Sequence, residues 1–180
     1  MNLPDEERRR VVIEAVTPEV DAGRHPIKRT PGEVVVVEAD IFTDGHDVVA
    51  AALLHRAAGT ARWVGTPMTL VDNDRWRGSF AVGEESRYEY TVAAWVDHFA
   101  TWQTQLDKRV AAGQDVESEL LEGAALIRAA TAWAPAEEDG QWLLECADQI
   151  TSGLPVAERA AQALRVELAT RMAAAPDRRL

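Results

Sequence analysis

The chain has 180 residues, of which 47% are hydrophobic and 27% charged; this is a globular composition, long enough for one sizeable core or two small ones and without the low hydrophobicity of disorder. Its formal net charge of −11 speaks against nucleic acids and anionic membranes as partners, because both are bound largely through lysine and arginine. The single cysteine, Cys146, rules out an intramolecular disulfide and reads as a small buried helix residue, and neither a bilayer-length apolar run nor an apolar signal segment is present, so the expected location is cytoplasmic.

Arg8, Arg9 and Arg10 follow the acidic Asp5, Glu6 and Glu7 and read as a solvated lead-in. From there to about Asp97 the sequence is rich in valine, aromatics and period-2 alternation, interrupted by turn residues, and is expected to be β. Strands are expected at 10–16, ended by Thr17-Pro18, and at 33–42, a nearly continuous apolar run broken by Glu38 and Asp40. Asp44-Gly45 then supplies a turn, and 48–55, 61–64, 68–70, 76–82 and 87–96 complete the set. Trp76, Gly78, Phe80 and Val82 alternate in phase, as do Tyr88, Tyr90, Val92, Ala94 and Val96, so one face of each strand points into a common core. The expected architecture is an immunoglobulin-like antiparallel β-sandwich over residues 1–96.

After Asp97 the period changes to about 3.6 and alanine, leucine, glutamate and arginine dominate. Asp97 is the expected N-cap of a helix through Phe99, Trp102, Leu106 and Val110 that stops at Gly113. A second helix carries Leu120, Leu121, Ala124, Ile127 and Ala130, with Pro135 marking its end, and a third uses Trp142, Leu143, Ala147 and Ile150 up to Ser152-Gly153. A fourth begins near Pro155 and sets Ala157, Ala160, Ala161, Leu164, Leu168 and Met172 on one stripe, so residues 97–180 read as a bundle of about four helices. Its alanine-rich stripes allow close approach of another helix or another subunit.

Few residues point to chemistry. Asp44-Gly45-His46-Asp47 groups two carboxylates and an imidazole, yet Asp-Gly between strands is turn chemistry and no second cluster supplies the remaining ligands; no metal site is assigned. No nucleophile elbow, phosphate-binding loop, dinucleotide fingerprint or zinc pair occurs, so no catalytic residue and no cofactor-binding residue is assigned either. The six tryptophans are the feature most open to a functional reading, because flat aromatic surfaces stack on the apolar faces of sugar rings. Trp76, Trp102 and Trp142 sit in phase with core residues. Trp95 is out of phase with Tyr88, Tyr90 and Val92, and Trp63 lies in a short strand whose inward face the pattern leaves open; these two are the candidates for a carbohydrate or domain contact. His98 and Trp102, one turn apart, are an ordinary helix pair.

The junction carries a specific pattern: Asn73-Asp74-Arg75-Trp76-Arg77-Gly78, Arg87-Tyr88-Glu89-Tyr90-Thr91-Val92, Ala94-Trp95-Val96-Asp97 and Phe99-Ala100-Thr101-Trp102. With Arg10-Val11-Val12-Ile13-Glu14-Ala15-Val16-Thr17-Pro18 and Ala39-Asp40-Ile41-Phe42-Thr43-Asp44-Gly45-His46-Asp47, it resembles the N-terminal region of the bacterial maltosyltransferases that extend (1→4)-α-glucans from α-maltose 1-phosphate. The resemblance implies a non-catalytic accessory and dimerising region, the catalysis belonging to an α-amylase-type (β/α) barrel with an aspartate nucleophile and a glutamate acid/base. It implies a homodimer, contact with that barrel, and no metal or organic cofactor.

It also implies a further strand after the helices. The sandwich of this chain is therefore expected to lack a strand and to leave an unpaired edge, either because the chain is an excised fragment or because the edge pairs with another molecule. A free-standing α-glucan-binding module using exposed tryptophans is the alternative; an independent hydrolase would need a cleft with two carboxylates, for which the residues give no support.

Overall fold

The computed structural model describes residues 11–175, so the acidic and basic lead-in at 5–10, the expected strand start at Arg10 and residues 177–180 lie outside the described residues. The chain divides between Val96 and Asp97 into two compact units.

The first unit is a sandwich of two antiparallel sheets. One runs in the order β1 (Val11–Thr17), β2 (Val34–Thr43), β6 (Arg75–Ala81), β5 (Thr69–Asp72); the other is β4 (Val64–Pro67), β3 (Val49–Ala57), β7 (Tyr88–Val96). The apolar run of β2 resolves into a strict period of two. Val35, Val37, Ala39 and Ile41 are buried, whereas Val34 and Val36 face out at 58% and 47% exposure. Leu53 from β3 and Phe80 from β6 meet them, and Tyr88, Tyr90, Val92 and Ala94 of β7 close the core from the other sheet. Gly78 lies where the sheets approach closely: a Cβ there would be 3.0 Å from Met68 Cγ and 3.1 Å from Leu53 Cβ, tighter than ordinary contact.

One strand lies elsewhere than expected. Residues 61–63 are not in a strand; the strand is Val64–Pro67, registered by Leu54↔Gly65 and Ala52↔Pro67. Two properties explain the shift: Leu54 Cδ2 would stand 3.2 Å from a Cβ at Gly65, and β4 is a sheet edge, where a proline without an N–H is tolerated. At the opposite edge β7 pairs with β3 and with no other strand among the described residues. Beside it opens a cavity of about 940 Å³ whose lining includes Ile13, Val16, Phe80, Val92, Arg29 and Arg87.

Within the core His55 stacks on Phe80 at 4.4 Å between centroids, and its Nδ1 is buried without a hydrogen-bond partner among the described residues. Burial pushes this imidazole below its ordinary 6.5. The unfolded chain therefore takes up the proton first as pH falls, so the stability held here is complete above 6.5 and is lost as pH drops through that value towards the folded group's lower one. Denaturant melts are expected to show a lower midpoint at about pH 5.5 than at about pH 7.5. His55→Phe, which keeps the stack, is expected to flatten the difference; an undiminished difference in the variant excludes His55 as its source.

The second unit is helical: α1 (His98–Ala111), α2 (Glu117–Ala130), a 3-10 turn (Thr131–Trp133), α3 (Glu137–Ile150), α4 (Val156–Ala163) and α5 (Val166–Ala174). Asp97 caps α1, its Oδ1 accepting from Ala100 N–H at 2.8 Å, and Gly113 ends the helix at φ +66°. Leu106, Leu120, Ala124, Ile127, Leu143, Ala147, Ile150, Ala163 and Leu168 are buried in one core. Trp102 joins it by lying flat on α2, where its Nε1–H donates to Glu119 C=O at 2.8 Å across the gap left by Gly123.

The single fourth helix expected from Pro155 to Met172 is two helices. Arg165 leaves the helical region at φ −65°, ψ 136°, and the Ala163 carbonyl, deprived of its intrahelical donor, accepts from Gln103 Nε2 at 2.9 Å. The break changes the buried face. Ala157 and Ala161 are exposed and Leu164 is half-buried, whereas Ala160, Ala163 and Arg159 are buried. No helix among the described residues is long and apolar enough to cross a membrane.

Candidate functional site

The residues of the junction pattern act as structural anchors. Arg75, at the start of β6, donates from Nη1 to Asp40 Oδ1 (3.0 Å) and to Ala15 C=O (3.2 Å), from Nε to Glu38 (3.2 Å) and from Nη2 to Thr17 Oγ1 (3.1 Å). It thereby fastens β1 where its register slips between Glu14 and Thr17 and Ala15 takes φ +47°. Arg77 grips the other oxygen of Glu38 at 2.7 Å, and Arg77 first, then Arg75, hold that carboxyl below its ordinary range. Trp76 Nε1–H donates to Ile41 C=O at 3.1 Å, which satisfies the polar edge of an indole packed on the core. Tyr90 serves the same end from β7, its hydroxyl donating to Pro18 C=O.

The outer face of β4-β3-β7 is different in kind. Arg56 pairs with Glu89 across β3 and β7, its Nε and Nη2 both donating to Glu89 Oε2 at 2.9 and 2.8 Å. On the other side Arg56 Cζ stands 4.3 Å from the centre of the Trp63 ring. The three side chains form one row across the sheet: an indole, a guanidinium and a carboxylate, with Trp63 still 37% exposed. Trp95 is half-buried on β7, in register with Ala50, so the two candidate tryptophans belong to opposite ends of the same outer face and do not meet. The Asp44-Gly45-His46 segment is a bend after β2, with Gly45 at φ +93°. Among the described residues no group of three or more His, Cys, Asp or Glu is placed to hold a metal ion.

In the helical unit Trp142 lies beneath two guanidinium groups, with Arg171 Cζ at 4.5 Å and Arg165 Cζ at 5.5 Å from its ring centre; Asp139 holds Arg171 at 2.7 Å. Burial pushes the neighbouring Cys146 thiol up, away from the reactive thiolate. Arg159 is 8% exposed; both of its terminal nitrogens donate to Glu117 and its Nε donates to Leu154 C=O at 2.9 Å. Helical periodicity gives no signal for this pair, because an arginine followed by two alanines reads as surface.

The outward side of α2 carries Leu121, Ala125 and Ala129 at four-residue steps, with Trp133 in the turn beyond. Leu121, grouped with Leu120 among the apolar residues carried by the second helix, is 62% exposed, because the core-facing line of α2 runs through Leu120, Gly123, Ala124 and Ile127.

A family model described as "Alpha-1,4-glucan:maltose-1-phosphate maltosyltransferase, domain N/S" matches residues 9–180. Proteins named Alpha-1,4-glucan:maltose-1-phosphate maltosyltransferase are similar to the chain: one from Chlorobaculum tepidum is 50% identical over 140 residues, 78% of this chain and 21% of that protein. One from Myxococcus xanthus is 45% identical over 94% of this chain and 26% of its own length, and one from Streptomyces coelicolor is 35% identical over 95% and 26%. The chain thus spans about a quarter of the length of the curated relatives it matches.

Proposed function

Because the chain belongs to the family of N/S domains of alpha-1,4-glucan:maltose-1-phosphate maltosyltransferases, we propose that it is the non-catalytic accessory and dimerising region of such a cytoplasmic enzyme. The parent enzyme extends (1→4)-α-glucan from α-maltose 1-phosphate with release of phosphate, in glycogen or α-glucan biosynthesis, and its catalytic (β/α) barrel lies outside this chain. The observation that carries the reading is the match to an N/S domain over residues 9–180. The residues of the junction pattern support it: Arg75, Trp76, Arg77 and Gly78 fasten strands and close the core, which is work for a scaffold.

The proposed dimer surface is the outer stripe of α2. Leu121 at 62% exposure is a branched apolar side chain held out of its own core, and Ala125 and Ala129 beside it let a second helix approach closely. Around a two-fold axis such a stripe meets its own copy.

Catalytic independence is tested by incubating the purified chain with α-maltose 1-phosphate and maltohexaose and measuring phosphate. The expected result is no release above the protein-free blank. Release that rises in proportion to chain concentration would overturn the accessory reading.

A further inference from the structure

We propose that Asp44-Gly45, in the connection between β2 and β3, is a site of spontaneous rearrangement to isoaspartate, a covalent modification that the fold permits here and suppresses at the chain's other Asp-Gly pair, Asp139-Gly140. The reaction needs only water. The backbone nitrogen of Gly45 attacks the side-chain carboxyl carbon of Asp44, the N–H proton and the carboxyl hydroxyl leave together as water, and a five-membered succinimide closes. Water then adds to a ring carbonyl. Cleavage of the bond from the nitrogen to the original backbone carbonyl leaves the chain running through the side-chain carbon, so the backbone gains a methylene and the former backbone carbonyl becomes a free carboxylate. One water is released and one consumed, and nothing is oxidised or reduced.

Two conditions decide where the ring can close. The attacking nitrogen has to be unshielded, and the dihedral angles at the aspartate have to let that nitrogen turn onto its own side chain. Asp44-Gly45 meets both. The two residues are exposed and lie in a bend outside helix and strand. Glycine places no side chain over its nitrogen, and Gly45, at φ +93°, has no atom beyond its chain neighbours within 4 Å of the place a Cβ would take. Asp139-Gly140 meets neither. It sits in the first turn of α3, where Gly140 N–H donates to Ala136 C=O at 3.2 Å and Arg171 Nη1 donates to Asp139 Oδ1 at 2.7 Å. The helical backbone turns the amide away from the carboxyl, and both reacting groups are already engaged. The product at Asp44 has a structural consequence. Residues 44–48 carry the chain from β2 in one sheet to β3 in the other, so the added methylene lengthens a short link between the two layers of the sandwich.

The test is ageing of the purified chain at physiological temperature and neutral pH. Samples are digested with an aspartate-directed endoprotease, which does not cut before isoaspartate, and the uncut peptides are sequenced by fragmentation mass spectrometry. Isoaspartate is expected to accumulate at position 44 about tenfold or more faster than at position 139. In urea, where α3 no longer protects its pair, the two rates should come within about twofold of each other. Asp44→Glu, whose longer side chain cannot close the five-membered ring, should give no product at position 44 and leave the rate at position 139 unchanged. Equal rates at the two pairs in the folded chain, or accumulation at position 44 only after unfolding, would overturn the proposal.

Discussion

Gly123→Ala is expected to destabilise the helical unit by about 3 kcal/mol or more, although the same change in an exposed helix is favourable. A Cβ on Gly123 would stand 1.9 Å from Trp102 Cζ2 and 2.4 Å from its Cε2 and Cη2. No rotamer adjustment absorbs that overlap, because Trp102 is 5% exposed and its Nε1–H is fixed to Glu119 C=O at 2.8 Å. To make room the indole must leave the core, which breaks that hydrogen bond at about 1 kcal/mol and opens a void at the centre of the bundle. The gain in helix propensity, about 0.4–1 kcal/mol, is too small to offset this.

Gly140 is the internal control. It lies in the first turn of α3, where a Cβ would meet Ala134 Cβ at 3.7 Å, an ordinary contact. Gly140→Ala should therefore raise stability by about 0.5 kcal/mol. Urea melts of the two variants are expected to move in opposite directions. A neutral Gly123→Ala would mean that Trp102 does not lie on α2 as described.

Gly123 shows what the sequence conceals. Read alone, a glycine inside a helix is a weak helix former with no stated purpose; its purpose is an indole twenty-one positions earlier. The elements themselves were legible because their signals are local. Period-2 alternation located most strands within a residue or two, and Asp97 and Gly113 bounded α1 as capping chemistry requires. The division of labour between tryptophans was partly legible too: Trp76 and Trp102 pack on cores, while the outward position of Trp63 depends on a register at β4 that Gly65 and Pro67 decide.

The failures arise where tertiary contacts override local pattern. Arg165 splits an otherwise good helix because Gln103 is available to satisfy the Ala163 carbonyl. Arg159 is buried because Glu117, on another helix, receives both its terminal nitrogens. Leu121 and Leu120 are chemically identical neighbours, and 100° of helix rotation sends one into the core at 0% exposure and the other to the surface at 62%. Nothing in the spacing distinguishes them until the position of α1 and α3 is known.

On a two-fold axis each substitution appears twice, so Leu121→Asp would place two carboxylates in an apolar seam; the expected effect is a loss of dimer affinity of about a hundredfold or more. The fold should survive, since the side chain is already in solvent in the single chain. Glu122→Gln, on the same exposed turn, changes charge without placing a carboxylate in the seam and is expected to leave association intact.

The most direct test of the accessory and dimerising role is the molar mass of the purified chain by light scattering over a wide concentration range, with Leu121→Asp alongside. Twice the single-chain mass is expected for the natural sequence and the single-chain mass for the variant. A single-chain mass for both at every concentration would contradict that role, as would a dimer that Leu121→Asp leaves unchanged.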